Sequence, residues 1–133
     1  MTASRYAGGV RRLVLLDDSE ITLKIMGPIL VEAGFEVRAV SSLRHFVNVV
    51  IDWKPHLIVT DLYMPDMNGA DLCSWLRAQI QTARTPIIIC SSARPEELER
   101  IVREVGADGY VSKDAGPQAL GARLHELCEE IVW

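Results

Sequence analysis

Cysteine is scarce in this 133-residue chain, and Cys73, Cys90 and Cys128 stand in unrelated contexts. An odd, unclustered set offers neither a disulfide framework nor paired metal-ligand spacing, so reduced, buried thiols are expected. No apolar run approaches the ~20 residues that a membrane span needs. The opening MTASRYAGG lacks the apolar segment of a signal peptide and reads as a flexible tail over residues 1–10. Positive charge is not in excess either. The formal net charge is −4, which gives no general affinity for nucleic acid or an anionic membrane. Trp53, Trp75 and Trp133 form no stacking platform in the sequence, so no nucleotide-base site is expected. Without a linker or internal repeat, residues 11–133 read as one domain, long enough for its own core, and the expected location is the cytoplasm.

Five short apolar runs are present instead. RLVLLD (Arg12–Asp17), EVRAV (Glu36–Val40), HLIVTD (His56–Asp61), PIIIC (Pro86–Cys90) and GYVS (Gly109–Ser112) read as strands. The first, third and fourth are nearly continuous hydrophobe, the mark of strands covered on both faces. Between and after them, Glu20–Ala33, Leu43–Asp52, Ala70–Gln79, Pro95–Val105 and Pro117–Val132 carry helical periodicity. Fivefold strand–helix alternation predicts a parallel sheet with helices on both faces. Gly34 and Gly106 follow helix patterns as C-terminal caps, and Pro95 and Pro117 occupy first-turn positions. Pro28 lies inside the first helix after Gly27, which predicts a kink or an irregular turn there.

Ligands of open parallel sheets bind at the carboxyl ends of the strands. The first strand delivers Asp17 and Asp18 to that edge, the third Asp61, the fourth Ser91 and Ser92, the fifth Lys113. Three carboxylates repel unless a cation joins them. Oxygen donors without His or Cys suit a hard divalent ion such as Mg²⁺ better than zinc or copper. A lysine there pairs with carboxylate and then with a phosphoryl oxygen, and a serine hydroxyl bonds another. The set suits phosphoryl transfer to an aspartate nucleophile.

VLLDDSE, DLYMPDMNG, PIIICSSA and GADGYVSK, in this order on these strands, resemble the response-regulator receiver domain over roughly Arg11 to Val132. The intervals agree as well, 30 residues from Asp61 to Ser91 and 52 from Asp61 to Lys113. The resemblance implies a doubly wound, five-stranded parallel (β/α)5 sheet of the flavodoxin-like class. It implies Asp61 as phosphoryl acceptor, with Mg²⁺ or Mn²⁺ held by Asp61, Asp17, Asp18 and the Tyr63 carbonyl, directly or through water. Ser91 and Lys113 would contact the phosphoryl group, helped by backbone N–H groups around Tyr63 and Ser92. Tyr110 would be the aromatic that turns inward when Ser91 moves. The implied activity is a signalling switch that catalyses its own phosphorylation and dephosphorylation. Its donor would be a histidine kinase or histidine phosphotransfer protein and its target another protein, with no direct nucleic-acid contact and room for a dimer formed on phosphorylation.

Two positions depart from the family pattern. Asp114 replaces the usual proline after the lysine, so the Lys113–Asp114 peptide is expected to be trans. Tyr63 places a bulky ring two residues after the acceptor. Each site residue also has a simpler explanation. Asp17 and Asp18 suit a helix cap, Asp61 a turn, Ser91 and Ser92 a loop, Lys113 a solvated surface and Tyr110 core packing. Their coincidence at four strand ends is what those explanations miss. His45, His56 and His125 are expected on surfaces away from this edge. A constitutive interaction module of the same fold that no longer switches is the alternative. A phosphatase acting on small metabolites would need a larger insertion after Asp61, and an FMN binder a phosphate-cradling loop after the first strand.

Overall fold

The strands assemble in the order β2-β1-β3-β4-β5, all parallel, in one five-stranded sheet. They are β1 (Arg12–Leu16), β2 (Glu36–Val40), β3 (Leu57–Thr60), β4 (Ile87–Ser91) and β5 (Gly109–Ser112). Helices α1 (Glu20–Glu32), α2 (Leu43–Trp53), α3 (Gly69–Ala78), α4 (Pro95–Val105) and α5 (Pro117–Glu130) alternate with them. The computed structural model describes residues 11–64 and 67–130. The expected tail over residues 1–10, Pro65 and Asp66 of the acceptor loop, and Trp133 lie outside the described residues.

The three apolar runs become the interior strands, where both faces are covered. Alternation along them feeds two cores. Leu13, Leu15, Leu57, Val59, Ile88 and Cys90 pack with α1 and α5 residues such as Leu30 and Leu124. Val14, Leu16, Ile58, Ile87 and Ile89 pack with Phe46 of α2, Leu72 of α3 and Leu98 of α4. The edge strands carry exposed positions on β2 and half-buried ones on β5. All three cysteines are buried and none is in a disulfide among the described residues, and burial pushes Cys73 up to about 11 and Cys90 and Cys128 up to about 12.

Ser19 caps α1 by accepting the Thr22 N–H at 3.2 Å, as a short hydroxyl side chain at this position should. The helix continues through Pro28 from Glu20 to Glu32, although proline removes one backbone donor there. Gly27 explains the tolerance: without a Cβ, it removes part of the clash that proline imposes on the preceding residue. Gly106 ends α4 at φ +77° and Gly34 follows α1 at φ +106°, both in the region that glycine enters freely.

Candidate functional site

The order β2-β1-β3 reverses direction of travel beside β1, so the crevice opens at the carboxyl ends of β1 and β3. Asp17 and Asp61 each stand one residue beyond their strand and are tied to the sheet by the main chain. The Asp17 N–H donates to the Val40 carbonyl at 3.2 Å, and the Asp61 N–H to the Leu16 carbonyl at 3.0 Å. Asp17 is buried, Asp61 half-buried and Asp18 exposed, and one carboxylate oxygen from each lies within 4.8 Å of the others.

Lys113 reaches this cluster from the end of β5. Its Nζ is 2.8 Å from Asp17 Oδ2 and 3.4 Å from Asp61 Oδ2. The remaining oxygens have backbone partners: Asp17 Oδ1 accepts the Ser19 N–H at 2.9 Å, and Asp61 Oδ1 the Leu62 N–H at 2.7 Å. Burial raises the Asp61 pKa; Lys113 opposes this, Asp17 adds to it, and the balance stays above the ordinary carboxylate value. Burial of Lys113 favours the neutral amine, but its hydrogen bond to Asp17 and the charges of Asp61 and Asp17 outweigh burial and raise its pKa. Three carboxylates against one ammonium leave two negative charges uncompensated when all are ionised. An oxygen-only set with that charge fits a divalent hard cation.

Ser91 closes β4 and is buried, its Oγ accepting the Ala93 N–H at 3.2 Å, while Ser92 is exposed. Tyr63 follows Leu62 in the acceptor loop and is 62% exposed. Tyr110 is half-buried, and its hydroxyl donates to Glu99 on α4 at 3.4 Å, outward from the sheet edge. The structure therefore brings Asp17, Asp18, Asp61 and Lys113 together. Ser91 stands at the end of the next strand, and Tyr110 points toward α4. Lys113 opens a short 3-10 turn, Lys113–Ala115, steadied by the Asp114 N–H donating to Ser112 Oγ at 3.2 Å. The Lys113–Asp114 peptide is trans, as expected.

The histidines depart in part from the surface expectation. His56, at the amino end of β3, is half-buried and accepts the Arg12 N–H at Nδ1 (2.9 Å). Burial and the charges of Arg12 and Arg11 lower its pKa. His125 bonds the Ala33 carbonyl, and exposed His45 lines a cleft with Val40 and Ser41 at the carboxyl end of β2. The sequence reading missed the N–H groups of Ser19 and Leu62 that hold the carboxylates. Backbone donors belong to every residue and leave no signature in residue type.

The family model described as response regulator receiver domain matches residues 13–125. The transcriptional regulatory protein GltR of Pseudomonas aeruginosa is 33% identical over 117 residues, covering 88% of this chain and 48% of that protein. The phosphate regulon transcriptional regulatory protein PhoB of the same organism is 32% identical over 116 residues, 86% of this chain and 51% of that one. The chain thus spans about half the length of the curated relatives it matches. Among solved structures, the chemotaxis response regulator CheY4 of Vibrio cholerae aligns with a TM-score of 0.80 at 25% identity, covering 89% of this chain and 98% of that one. A response regulator from Desulfuromonas acetoxidans aligns at 0.78 and 27% identity, covering 92% and 99%. The acidic crevice thus sits in a fold and a sequence that both point one way, and the chain belongs to the response regulator receiver domain family of two-component signalling.

Proposed function

We propose that this receiver domain is a phosphorylation-controlled switch whose acceptor is Asp61. The observation that carries this reading is Lys113 Nζ lying between Asp17 Oδ2 and Asp61 Oδ2, within a cluster of three carboxylates. Asp17, Asp18, Asp61 and the Tyr63 carbonyl would hold Mg²⁺ or Mn²⁺. When bound, the ion offsets the negative charge of the carboxylates and of the incoming phosphoryl oxygens.

Asp61 Oδ1 is held by the Leu62 N–H, which leaves Oδ2 as the attacking oxygen. The Oδ2–P bond forms as the bond from phosphorus to the donor nitrogen or oxygen breaks, and the electron pair leaves with the donor. Lys113, already within 3.4 Å of Oδ2, turns its charge to a phosphoryl oxygen. Ser91 and the N–H groups around Tyr63 and Ser92 take the others. Drawing Ser91 Oγ to the phosphoryl group gives up its bond from the Ala93 N–H, and Tyr110 leaves Glu99 and turns inward. Moving such an equilibrium from 1:99 to 99:1 needs about 5.5 kcal/mol of differential stabilisation, a scale that several charge-assisted bonds supply.

The phosphoryl donor is a histidine kinase or histidine phosphotransfer protein, and the output is a changed surface on α4, β5 and α5 read by another protein or by a further domain. The cytoplasm is the proposed location. Intact mass after incubation with Mg²⁺ and acetyl phosphate tests the reading. One added phosphoryl group, dependent on metal and absent from Asp61→Ala, is the expected result. No adduct with a second donor and rapid quenching would instead favour the constitutive interaction module.

A further inference from the structure

Strand β3 is apolar at Leu57, Ile58 and Val59, yet its last residue is Thr60, with no exposed surface. A buried hydroxyl requires a partner, because water cannot supply one. The Thr60 hydroxyl finds it at the main chain next door, donating from Oγ1 to the Asp61 carbonyl at 3.0 Å. That carbonyl belongs to the same peptide unit as the Leu62 N–H. The unit is planar, so fixing one end fixes the direction of the other. The Leu62 N–H in turn donates to Asp61 Oδ1 at 2.7 Å, while the Asp61 N–H is tied to the Leu16 carbonyl.

We infer that Thr60 is a positioning residue for phosphoryl transfer: its hydroxyl sets the peptide plane whose N–H grips Asp61 Oδ1. The inference rests on Asp61 being the acceptor. With Oδ1 gripped, the carboxylate cannot rotate freely, and Oδ2 stays turned toward Lys113, 3.4 Å away. Valine would fill the same volume in this apolar strand, but it leaves the peptide plane without its side anchor. A nucleophile held in one rotamer reacts faster than one that samples several, and small misplacements are costly in rate.

Three variants separate the hydroxyl from the shape of the side chain. Thr60→Val keeps the shape and loses the hydroxyl, Thr60→Ala loses both, and Thr60→Ser keeps the hydroxyl. Two readouts are needed. One is the initial rate of phosphoryl uptake from acetyl phosphate with Mg²⁺, by intact mass. The other is the ¹H resonance of the Leu62 amide in the metal-free protein, which a short bond to a carboxylate moves downfield. Val and Ala are expected to slow uptake about tenfold and shift the Leu62 amide upfield, with Ser within about twofold of wild type in rate and unshifted. Should Val fail to fold, Ala carries the comparison. Wild-type rate and an unmoved amide in the hydroxyl-less variants would overturn the inference, as would a Ser variant as slow as Val or a slower rate without an amide shift. If wild type itself takes up no phosphoryl group, Asp61 loses its assigned role, while the amide resonance still decides whether Thr60 sets the peptide plane.

Discussion

Asp61 is held where an ionised carboxylate is disfavoured. Burial and the neighbouring Asp17 raise its pKa more than Lys113 and the Leu62 N–H lower it. Between the unfolded and folded values the native state binds the extra proton. The contribution of Asp61 to stability is therefore full below its unfolded pKa and is lost as pH rises through its folded pKa. Replacing the charge while keeping the shape should remove that loss. Asp61→Asn is expected to melt at a higher temperature than wild type at neutral pH without divalent ions. The difference should shrink toward about pH 4, where wild-type Asp61 is increasingly protonated. Thermal unfolding across pH in EDTA checks this, and an Asn variant less stable than wild type at neutral pH would contradict it. Lys113 titrates from the other side, so its stabilising contribution is present through neutral pH and is lost only as pH rises through its raised folded value.

At the scale of elements, the site depends on how firmly the helices press the sheet into shape. Phe46 of α2 has no exposed surface and lies in one core with Val14 and Leu16 of β1 and Ile58 of β3. Phe46→Ala should cost about 3–5 kcal/mol, the usual range for truncating a buried aromatic. Urea unfolding should show a lower midpoint with an unchanged slope; a loss below about 1 kcal/mol would mean that α2 repacks readily. The acceptor loop is pinned more locally. Gly69 at the start of α3 donates its N–H to the Leu62 carbonyl at 2.7 Å, and a Cβ there would meet Leu62 Cδ1 at 2.9 Å and its carbonyl oxygen at 3.1 Å. A side chain at that position would therefore need Leu62, next to Asp61, to shift.

For the whole molecule, the crevice is a reserve of unfavourable charge that a bound cation would relieve. A cation that binds only the folded state stabilises it by mass action, about 2.7 kcal/mol at a concentration one hundred times its dissociation constant. Adding Mg²⁺ should therefore raise the melting temperature of wild type and leave Asp61→Asn or Asp17→Asn nearly unmoved. Equal shifts in all three proteins would place the ion elsewhere. Tyr110 on β5 bonds Glu99 on α4, and Ser91 ends β4 between them and the crevice.

Much of this was legible in residue order. Three unbroken hydrophobic runs marked β1, β3 and β4 as covered on both faces, and they are the interior strands because only the interior offers two apolar neighbours. The bounds of β2, β5 and α4 came out as read, since Gly, Pro and Ser punctuate their ends; those of β1, β3, β4 and α1 to α3 moved by one residue at one end or both, where end turns fray, and the expected end of α5 at Val132 lies outside the described residues. Asp17, Asp18, Asp61 and Lys113 could be assigned to one edge because parallel strands bring all their carboxyl ends to the same side. Distances were not legible. That Lys113 crosses β4 and β3 to reach Asp17 depends on strand order, a long-range outcome of packing. Nor could residue types reveal the peptide planes that hold each carboxylate. Every residue owns an N–H and a carbonyl, and only the folded chain decides which of them face a nucleophile.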